Sequence, residues 1–200
     1  FIFASSSSVY GNASTPFNEK QDIKNPVSFY STTKITNELF AENYSEIYNF
    51  KTTCLRFFTV YGPFGRPDMA IYKFFKSFYK KQKIFLRDKG IHQRDYTYVD
   101  DITTAMMNCI IKKKYSKFKL YEVFNLGNSQ PISTIRLLKK IKKISNLPYP
   151  QVIHTKSIAE SKKTNANNLK ARKLLNFKTT TKIDEGLKIF HKWFRSYNKF

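Results

Sequence analysis

Phe1-Ile2-Phe3-Ala4-Ser5-Ser6-Ser7-Ser8-Val9-Tyr10-Gly11, followed at a distance by Tyr30-Ser31-Thr32-Thr33-Lys34, is the stretch on which the reading of this chain turns. The apolar run Phe1 to Ala4 reads as a buried strand, and the serines mark its end. Tyr30 and Lys34 are four residues apart, so on a helix they share a face. Ser6 lies 24 positions before Tyr30, and a strand end can present it to that face.

Such a trio has a specific chemistry. A free phenol has a pKa of roughly 10, so a tyrosine base at neutral pH needs a cation beside it. Lys34 can supply that cation, and a positively charged nicotinamide would add to it. Ser6 can share a hydrogen bond with a substrate hydroxyl while Tyr30 removes its proton and hydride leaves the carbon. The bland alternative is a solvated helix face. Tyr-x-x-x-Lys occurs four times, at Tyr30, Tyr72, Tyr79 and Tyr115. The residues 24 positions earlier are Ser6, Tyr48, Leu55 and Ile91, so only Tyr30 has a serine hydroxyl as its partner.

Working outward, strands alternate with helices. The segment 16–27 is turn-rich and reads as loop. Ser28 is placed to cap a helix over 29–48 with Ile35, Leu39, Phe40, Tyr44 and Ile47 on its apolar side. A β-branched and aromatic strand follows over 52–58. Asp68 is placed to cap the next helix. A short strand over 84–87 precedes a turn at Asp88-Lys89-Gly90. Asp100 and Asp101 open a helix to about Lys113, and 122–126 is another strand. Ser133 caps a helix to about Ser145, 152–153 is a short strand, and helices over 167–176 and 183–197 finish the chain. This alternation implies parallel βαβ units and an α/β fold.

Composition sets the limits. Two hundred residues with 41% hydrophobic content suffice for a packed core. No apolar run approaches the roughly 18 residues of a membrane helix, and Phe1 to Ala4 is too short for a signal-peptide core. Cys54 and Cys109 sit in apolar stretches and read as reduced core residues of a cytoplasmic protein. His92, His154 and His191 lack metal-ligand spacing, so no metal is expected. The net charge of +22 is read as compositional drift with a modest attraction for anions. Its lysines are dispersed, as at Lys139-Lys140 and Lys142-Lys143, and only Lys112-Lys113-Lys114 forms a tight run. No specific nucleic-acid binding is expected. The chain opens on a strand with Phe rather than Met and contains no Gly-x-Gly-x-x-Gly or Gly-x-x-Gly-x-x-Gly. It therefore reads as the C-terminal part of something longer.

Several motifs in fixed order carry a resemblance over essentially all 200 residues. They are Ser5 to Gly11, Tyr30-x-x-x-Lys34, Leu55-Arg-Phe-Phe-Thr-Val-Tyr-Gly-Pro63, Gly65-Arg-Pro-Asp-Met-Ala70, Arg94-Asp-Tyr-Thr-Tyr-Val-Asp-Asp101 and Phe124-Asn-Leu-Gly127. The chain resembles the C-terminal two-thirds of an extended short-chain dehydrogenase/reductase of the NAD-dependent epimerase/dehydratase family. Within it the chain most resembles UDP-glucuronate 4-epimerases.

The resemblance implies an incomplete Rossmann-like parallel sheet whose N-terminal βαβ units are absent, with a smaller α/β substrate-binding domain. Residues 1–62 and 97–127 would be the remaining NAD-binding part, and 63–96 and 128–200 the sugar-nucleotide-binding part. By resemblance, Tyr30 is the catalytic base, Lys34 lowers its pKa and holds the nicotinamide ribose, and Ser6 is the hydroxyl partner. Phe57 falls with Tyr30 and Lys34 among the NAD-binding positions. Arg94 matches an arginine on the UDP diphosphate, where a guanidinium suits phosphate oxygens; the bland alternative is an ion pair with Asp95 or Asp100. Thr59 and Arg66 match positions near the sugar carboxylate, and the segment 84–86 matches the uracil seat. A homodimer through the Tyr30 helix would follow.

Departures from the family pattern stand at Asp88, Glu160 and Asn167. Related dehydratases carry an acid where Ser7 and Ser8 stand. Two serines can hydrogen-bond a carboxylate but cannot protonate a leaving hydroxyl. This points to oxidation at C4, rotation and re-reduction of UDP-glucuronate to UDP-galacturonate, with NAD unchanged. The alternatives are another UDP-sugar 4-epimerase, an inactive remnant, or a basic binding module.

Overall fold

A computed structural model describes residues 1–111, 118–156 and 161–200. The strands and helices follow in the order β1 (Ile2–Ser6), α1 (Phe29–Tyr48), β2 (Thr52–Phe57), β3 (Thr59–Tyr61), α2 (Ala70–Lys80), β4 (Ile84–Arg87), β5 (Gln93–Arg94), β6 (Tyr96–Tyr98) and α3 (Val99–Ile111). Then come β7 (Tyr121–Leu126), β8 (Ile132–Ser133), α4 (Thr134–Ser145), β9 (Val152–Thr155), α5 (Leu169–Leu175) and α6 (Ile183–Asn198). The run Lys112-Lys113-Lys114 and Glu160 lie outside the described residues.

β1, β2 and β7 form a three-stranded parallel sheet in that order. This is the α/β arrangement that alternation implied, because parallel neighbours need a crossover between them. β2 is buried along nearly its whole length, as a strand covered on both faces must be. Among the described residues β3–β6 and β4–β9 pair in parallel and β5–β8 antiparallel.

Two helix starts show what capping chemistry does. Ser28 accepts from the Ser31 amide, and the Ser31 hydroxyl accepts in return from the Ser28 amide, a reciprocal box that fixes the start of α1. Asp68, expected to cap α2, does not. The N-cap is Met69, with no side-chain hydrogen bond, because the Asp68 carboxylate is turned to Arg66.

The face of α1 is a larger correction. Leu39, Phe40, Tyr44 and Ile47, expected inward, are each more than half exposed. The buried positions are Ser31, Glu38 and Ser45, which recur every seven residues and so share one face. α6 follows the ordinary pattern, burying Leu187, Phe190 and Phe194. These join Phe74, Phe75 and Phe78 of α2, Leu137 and Ile141 of α4, and Tyr61 and Tyr98 in one aromatic core. Cys54 and Cys109 are buried free thiols. No described helix is long and apolar enough to cross a membrane.

Candidate functional site

β1, β2 and β7 end level with one another: Ser6 pairs with Phe57, and Phe57 with Leu126. Ligands of open α/β sheets sit beyond this carboxyl edge, so Ser6 and Phe57 stand where such a ligand arrives. After Ser6 the backbone tightens into a turn over Ser7–Tyr10, with the Ser8 amide donating to Ser6 Oγ at 3.2 Å. Gly11 closes the turn at φ 54°, and a Cβ there would strike the Asn25 carbonyl oxygen. The turn needs glycine for both reasons. Ser7 is half-buried. The Ser8 hydroxyl is buried and has no hydrogen-bond partner among the described residues.

α1 packs on β1 and on this turn. Lys34 Nζ donates to the Ala4 carbonyl at 2.8 Å, tying the helix to the strand two residues before Ser6. The same ammonium stands 5.7 Å from the centre of the Tyr30 ring. Tyr30 itself is 54% exposed and open to a ligand. The serine turn, Tyr30 and Lys34 are thus brought to one end of the sheet.

Beneath them lies a charged network. Glu38, one turn beyond Lys34, accepts from Arg56 Nε at 2.9 Å and Nη2 at 2.6 Å, both side chains about 4% exposed. Ser5 Oγ donates to Glu38 Oε1 at 2.5 Å. Arg56 Nη1 donates to the Tyr10 hydroxyl at 2.9 Å, which donates to Asn125 at 2.7 Å. Burial pushes the Tyr10 phenol up to about 12 against the pull of Arg56, so it stays protonated as a donor. The network joins β1, the serine turn, α1, β2 and β7. An arginine inside the apolar run of β2 was a readable signal, since a buried guanidinium needs a partner. The partner, on another element, was not.

The substrate-side candidates divide. Arg94 lines a cleft of about 670 Å³ with Ile84, Phe85 and Leu86, together with Arg87 and His92. Sequence reading missed the last two. Arg94 Nη1 donates to the Gln93 carbonyl at 3.0 Å. Asp95, offered as its ion-pair partner, is fully buried and points elsewhere. Its carboxylate accepts from the amides of Asn128, Ser129 and Ala166, each at 2.9 Å. Burial raises its pKa and these amides oppose the rise. Asp101 accepts from the Thr180 amide and hydroxyl.

Thr59 begins β3 half-buried, its amide donating to the Asp95 carbonyl. Arg66 is bound in a fork by Asp68, at 3.0 Å and 2.5 Å. This pair is exposed. It raises the pKa of Arg66 and lowers that of Asp68. Asn167 accepts from the Leu169 amide at the start of α5. Among the described residues no group of three or more His, Cys, Asp or Glu could hold a metal.

Residues 1–127 match the model of the NAD dependent epimerase/dehydratase family. An uncharacterized protein of Methanocaldococcus jannaschii is 40% identical over 96% of this chain and 58% of its own length. UDP-glucuronate 4-epimerase 4 of Arabidopsis thaliana is 39% identical over 98% of this chain and 48% of its own. Among solved structures, the UDP-glucuronic acid 4-epimerase of Bacillus cereus, in complex with UDP-glucuronic acid and NAD, superposes with a TM-score of 0.91 at 30% identity. That alignment covers 98% of this chain and 62% of the other. The chain therefore spans about half to two-thirds of the length of the relatives it matches.

Proposed function

The chain belongs to the NAD dependent epimerase/dehydratase family, and from that premise we propose that it is the sugar-handling portion of a UDP-sugar 4-epimerase that interconverts UDP-glucuronate and UDP-galacturonate. One observation carries the reading: Lys34 is fixed to the Ala4 carbonyl and lies beside the Tyr30 ring, at the strand end that carries Ser6. Relatives at 39% and 30% identity whose names specify UDP-glucuronate 4-epimerase support the substrate.

NAD is the cofactor of the family. The residues present fit its nicotinamide end. Tyr30 is exposed beside a held lysine, and Phe57 stands at the carboxyl edge. The six glycines of the chain form no glycine-rich phosphate turn. Tyr30 and Lys34 would hold the nicotinamide ribose. When bound, NAD supplies the acceptor and donor of hydride at C4 of the sugar.

Residues of this chain then do the rest. Tyr30, beside the Lys34 ammonium, takes the proton from the C4 hydroxyl while Ser6 hydrogen-bonds the same oxygen. The keto sugar turns over in the site so that the other face of C4 would meet the returning hydride, and Tyr30 gives the proton back to the C4 oxygen. Arg94 holds the diphosphate, with the uracil against Ile84 to Leu86. Ser7, Ser8 and Thr59 hydrogen-bond the uronate carboxylate, and Arg66 reads its charge. On this reading residues 1–62 and 97–127 serve the cofactor and the remainder the sugar nucleotide.

A specific observation favours a second reading, an epimerase of uncharged UDP-sugars. Arg66 is already held by Asp68, so a substrate carboxylate must displace that acid.

The 200-residue chain alone is expected not to turn over UDP-glucuronate. In a protein that joins it to a glycine-rich nucleotide-binding half, Tyr30→Phe should lower kcat by about 10²–10⁴-fold. Binding of UDP-sugar, followed by calorimetry, should survive. An active Tyr30→Phe enzyme would refute the assignment of the base. Loss of uncharged UDP-glucose on Arg66→Ala, as severe as loss of UDP-glucuronate, would favour the second reading.

A further inference from the structure

Lysines that are dispersed along the sequence converge in the fold. The outer faces of α4 and α6 enclose a groove of about 950 Å³. Lys139, Lys140 and Lys143 line it from α4, and Lys188, Lys192 and Arg195 from α6. Residues 139 and 143, and 188, 192 and 195, repeat at helical spacing, so each set shares one face. Asp184 is the only acidic side chain of the lining among the described residues, and it accepts from Lys140 at 2.7 Å through both oxygens. The other five cations have no carboxylate partner among the described residues. Elsewhere the scarce acids are spent singly, as in Lys170–Glu122, Arg56–Glu38 and Arg66–Asp68.

The floor of the groove is built rather than loose. His191 stacks on Phe75 at 5.0 Å and 11°, and its Nε2 lies 2.6 Å from the Tyr79 hydroxyl. Phe200 stacks on Tyr79 at 4.7 Å. Burial lowers the His191 pKa, so the base of the groove is a neutral aromatic surface below a rim of cations. None of the lining residues belongs to the cleft that holds Arg94.

We propose that the α4–α6 groove is a binding site for a compact polyphosphate anion, separate from the epimerase site. Cations confronting one another across a concave surface with little counter-charge concentrate field there. An anion with several closely spaced charges relieves that repulsion. The groove falls within the roughly 300–1,000 Å³ of small-molecule sites, so it has room for such an anion. Arg195 offers a planar fork for phosphate oxygens, and the lysines are point charges on flexible stems that can follow a row of phosphates.

The test is calorimetric titration of the chain with inorganic tripolyphosphate at near-physiological salt. One-site binding is expected, weakening as salt is raised because exposed charges are screened within about 8 Å at that ionic strength. Lys192→Gln and Arg195→Gln, each confirmed folded by circular dichroism, should each weaken it roughly 10–150-fold, the loss of a charge-assisted hydrogen bond. Lys20→Gln with Lys24→Gln, outside the groove, should leave it unchanged. Equal losses in both sets would mean diffuse attraction to net charge and would overturn the site. So would absence of tripolyphosphate binding, or tight binding of a single-stranded oligonucleotide or an acidic glycan with none of tripolyphosphate. Thermal melts give an independent reading: tripolyphosphate should raise Tm in the parent chain by mass action and should do so less in Lys192→Gln.

Discussion

Among the described residues α1 and α6 are the two longest helices, and they are built in opposite senses. α6 buries Leu187, Phe190 and Phe194 and turns Lys188, Lys192 and Arg195 outward. α1 buries Ser31, Glu38 and Ser45 and turns Leu39, Phe40, Tyr44 and Ile47 outward. Apolar contact buries the inner face of α6, while polar ties at Asp184, His191 and Asn198 lie along its flanks. Hydrogen bonds hold α1 to named partners. Ser45 Oγ lies 2.7 Å from the Phe50 carbonyl and 2.9 Å from that of Leu120. Lys34 reaches Ala4, and Glu38 reaches Ser5 and Arg56. On the proposed mechanism a helix that carries the base Tyr30 gains from directional ties, and α1 is that helix.

The comparison can be broken first at Glu38. Glu38→Ala leaves Arg56 buried without its carboxylate, and breaking such a pair costs about 3–5 kcal/mol. Chemical denaturation should show that loss. Replacing both partners by methionine should restore much of it. A small loss in Glu38→Ala would mean that α1 is not held by its charges. Next, Leu187→Ala on α6 should cost about 2–5 kcal/mol through lost burial and the cavity left behind, with little change when pH or salt is varied.

A smaller effect belongs to His191. Burial lowers its pKa from the ordinary 6.5, so the folded chain prefers the neutral ring. The unfolded chain then takes up a proton at acidic pH more readily than the folded one. His191 therefore contributes stability above about 6.5 that is lost as pH falls through the folded value. His191→Phe should flatten that part of the stability–pH profile while keeping the stack on Phe75. A profile unchanged by the substitution would place the titration elsewhere. The smallest effect is expected at Phe40 on the outer face of α1. Phe40→Glu should stay within about 0.5 kcal/mol of the parent, as judged by the denaturation midpoint. A loss comparable to that of Leu187→Ala would mean that this face is covered in the folded chain.

What the sequence disclosed follows from the range of each signal. Ser28 and Ser133 were readable as caps because a cap acts within three residues, and both accept the expected amide. The strand over 84–87 and the alternation that yields a parallel sheet were likewise local patterns. That Lys34 lies beside Tyr30 and reaches the strand carrying Ser6 was legible through spacing. The inward face of α1 was misread because a hydrophobic stripe ordinarily marks the core side. Here Arg56, 18 residues beyond Glu38 and on a strand, takes the buried position's partner role. Asp68 was misread as a cap because nothing local ranks a helix amide above a guanidinium two residues away. The cationic groove was invisible for the same reason of range: Lys143 and Lys188 are 45 residues apart.

Asp95 has a kinetic meaning as well as a structural one. Its single carboxylate receives three amides, from Asn128, Ser129 and Ala166, none of which it meets through a sheet ladder. Loop amides ordinarily exchange hydrogen with solvent quickly, each on its own schedule. These three share one acceptor, so they are shielded and released as a set. Protonation of that carboxyl, whose pKa burial already raises, should weaken all three at once, so that the loop after β7 and the segment at Ala166 are expected to open together rather than bond by bond.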